Sequence, residues 1–210
     1  MIDFIWPRTC AVQDCSRKMD RDGYICSRCY ATLPWFDECP STTFAYLSPI
    51  SELIRTYKFN NGKYLAEGFA EAMELAICKK QPVSEIDLIV PVPLHPKRLA
   101  SRGYNQSAIL AEKLAERLNR ACNQFTLLRL RDTPHQSRSN ADERRKQIVG
   151  AFRVADVSSV RGRTILLVDD VSTTGATLDE CTSALRAAGA YRVIPFTLAK
   201  ALFDEDMDGN

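Results

Sequence analysis

The chain has 210 residues, room for one large domain or a medium domain plus a small module, since domains most often run to ~100–150 residues. An apolar fraction of 45% with 26% charged residues excludes wholesale disorder and a fibrous repeat, and no stretch reaches the ~18–20 apolar residues that cross a bilayer. The net charge of +2 conceals an asymmetry: Asp204, Glu205, Asp206 and Asp208 sit in residues 203–210 without a base, so a basic body compatible with polyanionic ligands precedes an acidic tail.

The N-terminus, MIDFIWPRTC, lacks the basic-then-apolar pattern of a secretory leader, which predicts a cytoplasmic protein. In a reducing compartment eight cysteines do not read as a disulfide scaffold. Four of them form two close pairs, Cys10-x4-Cys15 and Cys26-x2-Cys29, separated by ten residues. That is the arithmetic of a tetrahedral thiolate site, for which zinc is the natural ion, and a segment this short needs such a staple. Residues 1–40 are therefore expected to form a zinc-binding module, residues 41–202 the main domain and residues 203–210 the acidic tail. Cys78, Cys122 and Cys181 lie among alanines and leucines and read as small core residues. Cys39 stands alone.

Along the main domain, residues 41–59 read as a linker and a short helix around ISELIRTY that opens at Ser48 or Ser51. After the turn Asn60-Asn61-Gly62, residues 63–80 place Leu65, Phe69, Ala72, Met73 and Ala76 on one helical face, and Pro82 ends the run. IDLIVPVP is a continuous apolar run, the pattern of a strand buried on both faces. A basic loop follows over residues 94–104. NQSAILAEKLAERLN is an amphipathic helix with Ile109, Leu110, Leu114 and Leu118 on its stripe, and FTLLRLR is a strand. Residues 132–140 form a polar loop and ADERRKQI a short helix. RTILLVDD is a second buried strand, TLDECTSALRAAG a helix closed by Gly189, and YRVIPFTLA a third strand. This alternation predicts a doubly wound α/β fold, a parallel sheet flanked by helices.

The chemistry concentrates in RTILLVDDVSTTGATL. An apolar strand ends in Asp169 and Asp170 and turns at once through Val171, Ser172, Thr173, Thr174, Gly175, Ala176 and Thr177 into a helix. Ligands of α/β sheets collect at the carboxyl ends of strands. Backbone N–H groups, hydroxyls and the positive end of a helix aimed at one point suit a phosphate. The adjacent carboxylates accept hydrogen bonds from sugar hydroxyls, with Mg²⁺ held nearby. Helix capping needs one acid, whereas two side by side repel, so the pair is expected to serve a ligand. Lys97, Arg98 and Arg102, after the IVPVP strand, are candidates for pyrophosphate or DNA contact. His95 reads as structural. Thr133, His135, Gln136 and Arg138 form a candidate mobile loop, and Arg144, Arg145 and Lys146 fit a solvated face or an anion site. Trp35, Phe36, Tyr57 and Phe59 read as packing between module and domain more readily than as base-stacking groups.

The run from Asp169 to Thr177 resembles the ribose-phosphate signature of type I phosphoribosyltransferases, which use 5-phosphoribosyl-1-pyrophosphate and Mg²⁺. Ser172 departs from the bulky aliphatic residue usual there. Taken with the Cys10 to Cys29 module, YKFN from Tyr57, VPVPLHPKRLASRGYNQS from Val90 and ERRKQIVGAF from Glu143, the chain resembles the competence protein F family. In relatives a second cysteine pair often follows the first module, where only Cys39 stands here, and Gln147 replaces a usual asparagine. The resemblance implies a type I phosphoribosyltransferase-like domain behind a zinc module. It also implies a part in DNA uptake during natural transformation, with contact to single-stranded DNA and the uptake machinery. The alternative is an active phosphoribosyltransferase of nucleotide metabolism or salvage with no DNA role.

Overall fold

The computed structural model describes residues 9–20, 23–60, 62–132 and 147–202. Its centre is a five-stranded, all-parallel sheet. The strands are β1 (Thr42–Ala45), β2 (Leu88–Pro91), β3 (Ala121–Cys122), β6 (Thr164–Ser172) and β7 (Arg192–Lys200), in the spatial order β1-β7-β6-β2-β3. The long central pair β6 and β7 is in register from Thr164↔Arg192 to Ser172↔Lys200. Alternate residues of the same strand enter different cores. Leu166 and Val168 of β6 join Ile89, Ile194 and Phe196 on one face, and Ile165 and Leu167 join Leu88, Val90 and Val193 on the other. Because both faces are covered, the strands read as unbroken apolar runs.

Helices supply the cover. On the first face lie α2 (Ile50–Phe59), α3 (Ala66–Lys80) and α5 (Gln106–Leu118), contributing Leu53, Ile54, Phe69, Met73, Leu110 and Leu114, none more than 2% exposed. On the second lies α6 (Ala176–Ala187), through Leu178, Cys181 and Leu185. Truncating such a leucine to alanine costs about 2–5 kcal/mol, because the site collapses only partly around the cavity. A separate antiparallel ribbon of β4 (Leu127–Arg129) and β5 (Phe152–Val154) closes the second core with Leu127, Phe152 and Val154.

The cysteine module packs on the first core, where Cys10, Ile25, Cys26 and Leu33 join the cluster of α2 and α3. A short helix, α1 (Ser27–Ala31), carries Cys29. Trp35 stacks between Tyr30 and Phe44, at centroid distances of 5.6 and 4.7 Å, and forms an antiparallel bridge with Phe44 of β1. Lys80, at the end of α3, donates to the carbonyls of Phe36, Cys39 and Thr42 at 2.8–2.9 Å. Three carbonyls from Phe36 to Thr42, the first residue of β1, are thereby satisfied at once.

Several expectations are corrected here. The segment read as a linker before α2 contains β1, an edge strand paired with β7. The basic stretch after β2 is α4 (Pro96–Arg102), with Pro96 in its first turn, His95 Nδ1 accepting from Lys97 N at 3.3 Å, and Gly103 (φ 82°) closing it. FTLLRLR contributes only β4, outside the main sheet, because its partner is β5. Cys78 is exposed, since it falls on the outer side of α3, and Cys122 lies on strand β3. The polar loop from Thr133 onward, residues 141–146 of the helix expected over ADERRKQI and the acidic tail lie outside the described residues, while Gln147 and Ile148, at the end of that expected helix, are helical. Among the described residues no helix is long and apolar enough to cross a membrane.

Candidate functional site: a glycine turn at the switch point of the sheet

Chain direction places the site. From β2 the chain moves through α4 and α5 to β3 on one side, and from β6 it moves through α6 to β7 on the other. The reversal lies between β2 and β6, and crevices of open α/β sheets form at such a point. The last main-chain bond joining the two strands is Val92 N to Val168 O, at 2.8 Å, so residues 169–172 run beyond β2 along an open edge. A cleft of about 210 Å³ occupies that edge.

The predicted turn lines this cleft in full, from Asp169 through Thr177, together with Arg98 and Arg102. Lys97 is exposed and lies outside the lining. The lining adds Lys58 of α2, Gln106 and Ser107 of α5 and Arg129 of β4, from three different elements. Gly175 caps α6 at φ 78°, a left-handed conformation that favours glycine, and no side chain caps the helix. Ala176 N has only a long 3.5 Å contact with Thr174 Oγ1. The first-turn N–H groups of a twelve-residue helix thus border the cleft.

Each carboxylate is held separately. Ser107 Oγ, in the first turn of α5, donates to Asp169 Oδ1 at 2.7 Å, and Asp170 N donates to the same oxygen at 2.9 Å. Burial first, and then the charge of Asp170, push the Asp169 carboxyl up to about 7. Asp170 is paired instead with Lys58, whose Nζ lies 3.0 Å from Oδ2. The start of α5 is fixed by Asn105, which accepts from Ser107 N and donates to Val92 O at 3.0 Å. The end of α2 is fixed by Gly62, where a Cβ would meet Thr56 O at 2.6 Å, and by Tyr57, whose hydroxyl donates to Gln106 O at 2.8 Å.

Cations surround the opposite wall. Arg102 donates to Gln106 Oε1 at 2.8 Å, and Arg98 pairs with Asp132 at 3.3 Å. Arg129 reaches in from β4, its guanidinium 5.4 Å from the Phe152 ring, and burial and then the charge of Arg98 lower its proton affinity. Gln106 is 1% exposed and its Nε2 has no hydrogen-bond partner among the described residues. A buried donor left unsatisfied costs about 1–3 kcal/mol, which an acceptor oxygen brought to this wall would offset. Lys58 and Ser107 carry no motif of their own, and only their place within YKFN and NQS pointed to them.

In the module, the ligand atoms of Cys10, Cys15, Cys26 and Cys29 all lie within 4.8 Å of one another, so this cluster can hold a metal ion. Cys15 Sγ and Cys26 Sγ are 3.9 Å apart, close to the ~3.8 Å that ~2.3 Å zinc–sulfur bonds set in a tetrahedron. The donor set and its spacing fit zinc.

The phosphoribosyl transferase domain model matches residues 104–208. Competence protein F of Haemophilus influenzae is 30% identical over 89% of this chain and 83% of its own length. The chain belongs to the competence protein F family. The DNA utilization protein YhgH of Salmonella typhimurium is 32% identical, over 84% of this chain and 78% of that protein. Among solved structures, the glutamine phosphoribosylpyrophosphate amidotransferase from B. subtilis is 19% identical with a TM-score of 0.44, over 70% of this chain and 30% of that enzyme. This family member therefore spans less than a third of that structure.

Proposed function

We propose that the cleft binds 5-phosphoribosyl-1-pyrophosphate together with Mg²⁺, and that the protein acts in DNA uptake, contacting single-stranded DNA. The observation that carries the reading is the convergence, in one cleft, of the open turn 172–177, the carboxylates Asp169 and Asp170, and the guanidinium groups of Arg98, Arg102 and Arg129. In it the turn takes the 5-phosphate, and the acids accept from the ribose hydroxyls. The arginines, with Gln106 Nε2, take the pyrophosphate. Lys97 serves at the rim. Mg²⁺ suits an oxygen-rich site of this kind and neutralises phosphate charge when bound. Zinc is the ion assigned to Cys10, Cys15, Cys26 and Cys29. The DNA role is supported by the names of the relatives, a competence protein and a DNA utilization protein.

If transfer occurs, the bond from the anomeric carbon to the pyrophosphate oxygen breaks and one to an acceptor forms. Positive charge then grows on the ribose and negative charge on the leaving group, where the acids and arginines respectively are stationed. The deciding experiment is a titration with phosphoribosyl pyrophosphate, with and without Mg²⁺ and single-stranded DNA, followed by an assay for released pyrophosphate. Mg²⁺-dependent binding is the expected result. Absence of binding overturns the ligand assignment, and steady pyrophosphate release with no DNA affinity favours a transferase of nucleotide metabolism.

A further inference from the structure

Outside the phosphoribosyl cleft, but continuous with it, the ends of α2 and α4 build a strip of rings and cations. Phe59, the last residue of α2, is 67% exposed, and the Arg102 guanidinium stands 5.1 Å from its ring centroid. Beside it Lys63 Nζ lies 4.5 Å from the centroid of Tyr104, whose hydroxyl donates to Tyr57 O and fixes the ring. Two shallow depressions run along the strip. One is lined by Lys58, Phe59, Arg98, Ser101 and Arg102, the other by Lys58, Phe59, Lys63, Arg102, Gly103 and Tyr104. Among the described residues no acid lines either. Lys58, Arg98 and Arg102 also line the cleft; Lys58 and Arg98 have carboxylate partners, so the charge offered to a polyanion comes from Lys63 and from Arg102, which the strip shares with the cleft and whose neighbours are a ring and a neutral amide.

A single exposed apolar side chain is ordinary on a protein surface. An exposed ring flanked by cations, with no lining acid among the described residues, is a different arrangement. Bases of an unpaired strand stack on such a face whatever their sequence, while the phosphates between them meet the flanking charges. A duplex hides its base faces and does not satisfy the ring. We infer that this strip binds single-stranded nucleic acid, with a base stacked on Phe59 and its adjoining phosphates at Arg102 and Lys63. The inference rests on the proposed DNA contact and gives it a place, at the mouth of the phosphoribosyl cleft.

The test uses the full chain and a fluorescein-labelled oligothymidylate, followed by fluorescence anisotropy over a range of salt. Phe59→Ala and Phe59→Leu are expected to weaken binding about ten-fold or more, as loss of one stacked base does, and Phe59→Trp to retain it. Lys63→Gln should lower the magnitude of the salt slope by about 0.7. Phe59 and Lys63 lie outside the cleft lining, so all four variants should titrate phosphoribosyl pyrophosphate as the parent does. Parent-like oligonucleotide binding by Phe59→Leu overturns the strip and leaves the proposed DNA contact standing. If the parent binds no oligonucleotide, the strip and the DNA contact both fall, while the phosphoribosyl reading is judged by its own titration.

Discussion

Lys58 Nζ lies 3.0 Å from Asp170 Oδ2 and joins the last turn of α2 to the carboxyl end of β6, with the two side chains 22% and 10% exposed. The lysine neutralises one of two adjacent acids, while Ser107 and a backbone N–H hold the other. Asp170 therefore serves the fold in addition to the ligand role proposed for it, a structural role that the repulsion of two adjacent acids alone does not reveal. Lys58→Met should lower stability by about 1.5–3 kcal/mol, since it strands a nearly buried carboxylate. Asp170→Asn made in that background should recover part of the loss. Chemical denaturation of the four proteins in a double-mutant cycle measures the coupling. A coupling near zero would mean that the pair is an ordinary surface contact.

Asp169 gives the site a pH dependence of known sign. Its folded-state value of about 7 lies above the ordinary 3.8 of the free side chain. Between those values the folded state holds more protons than the unfolded one, so this group's contribution is complete below about pH 4 and is lost as pH rises to about 7. Asp169→Asn keeps an oxygen for Ser107 and has no proton to lose, so its stability should be flatter over that window and exceed the parent's above pH 7. A sugar hydroxyl donates best to the ionised carboxylate. Affinity for phosphoribosyl pyrophosphate should thus rise from pH 6 to 8 in the parent, at most about ten-fold per unit below 7. The Asn variant should bind weakly at every pH. Denaturation and calorimetric titration across this range check both curves, and parallel curves for the two proteins would remove Asp169 from the account.

What was legible in the sequence follows from how each element is stabilised. The strands β2, β6 and β7 are covered on both faces, and their unbroken Ile, Leu and Val runs announced them. Helices α3, α5 and α6 carry apolar stripes that the 3.6-residue period exposes. β1 escaped because an edge strand of four residues, TTFA, is held by pairing with β7 and by Trp35 against Phe44, and neither is local. α4 is obscured by the prolines before and at its start and by its cations, although Pro96 in the first turn and Gly103 beyond the last are the marks of a short helix. Within the cleft, the turn 171–177 is contiguous and could be read directly. Lys58, Ser107 and Arg129 come from distant segments, and only the fold brings them to Asp169 and Asp170. Packing of Trp35 and Tyr57 was anticipated, whereas exposed Phe59 departs from it because α2 ends there and the chain turns away at Gly62.

The cysteine cluster predicts one zinc per chain. Cys10 and Cys26 belong to the core shared with α2 and α3, so losing the ion should loosen more than the module. Cys26→Ser combined with Cys29→Ser should abolish the metal and lower the melting temperature. Metal analysis of protein purified without chelator decides the point. A stoichiometry near zero, or full zinc retention in the double variant, would refute the assignment.

The turn itself is tested by separating its shape from its donors. Gly175 sits at φ 78°, with the nearest atom to an added Cβ, Asp179 Oδ2, at 3.8 Å, so space is available and only backbone conformation demands glycine. Gly175→Val should therefore distort the turn at a cost of roughly 1–2 kcal/mol while the sheet, whose core lies beneath it, stays folded. Phosphoribosyl pyrophosphate binding should fall by about ten-fold or more, because backbone N–H groups no longer converge on one phosphate. Thr174→Val keeps the shape of the side chain and removes its hydroxyl, and should weaken binding by about five-fold, the value of one hydrogen bond. Calorimetric titration gives the affinities and thermal unfolding confirms the fold. Should both variants bind as tightly as the parent, residues 172–177 do no more than begin α6.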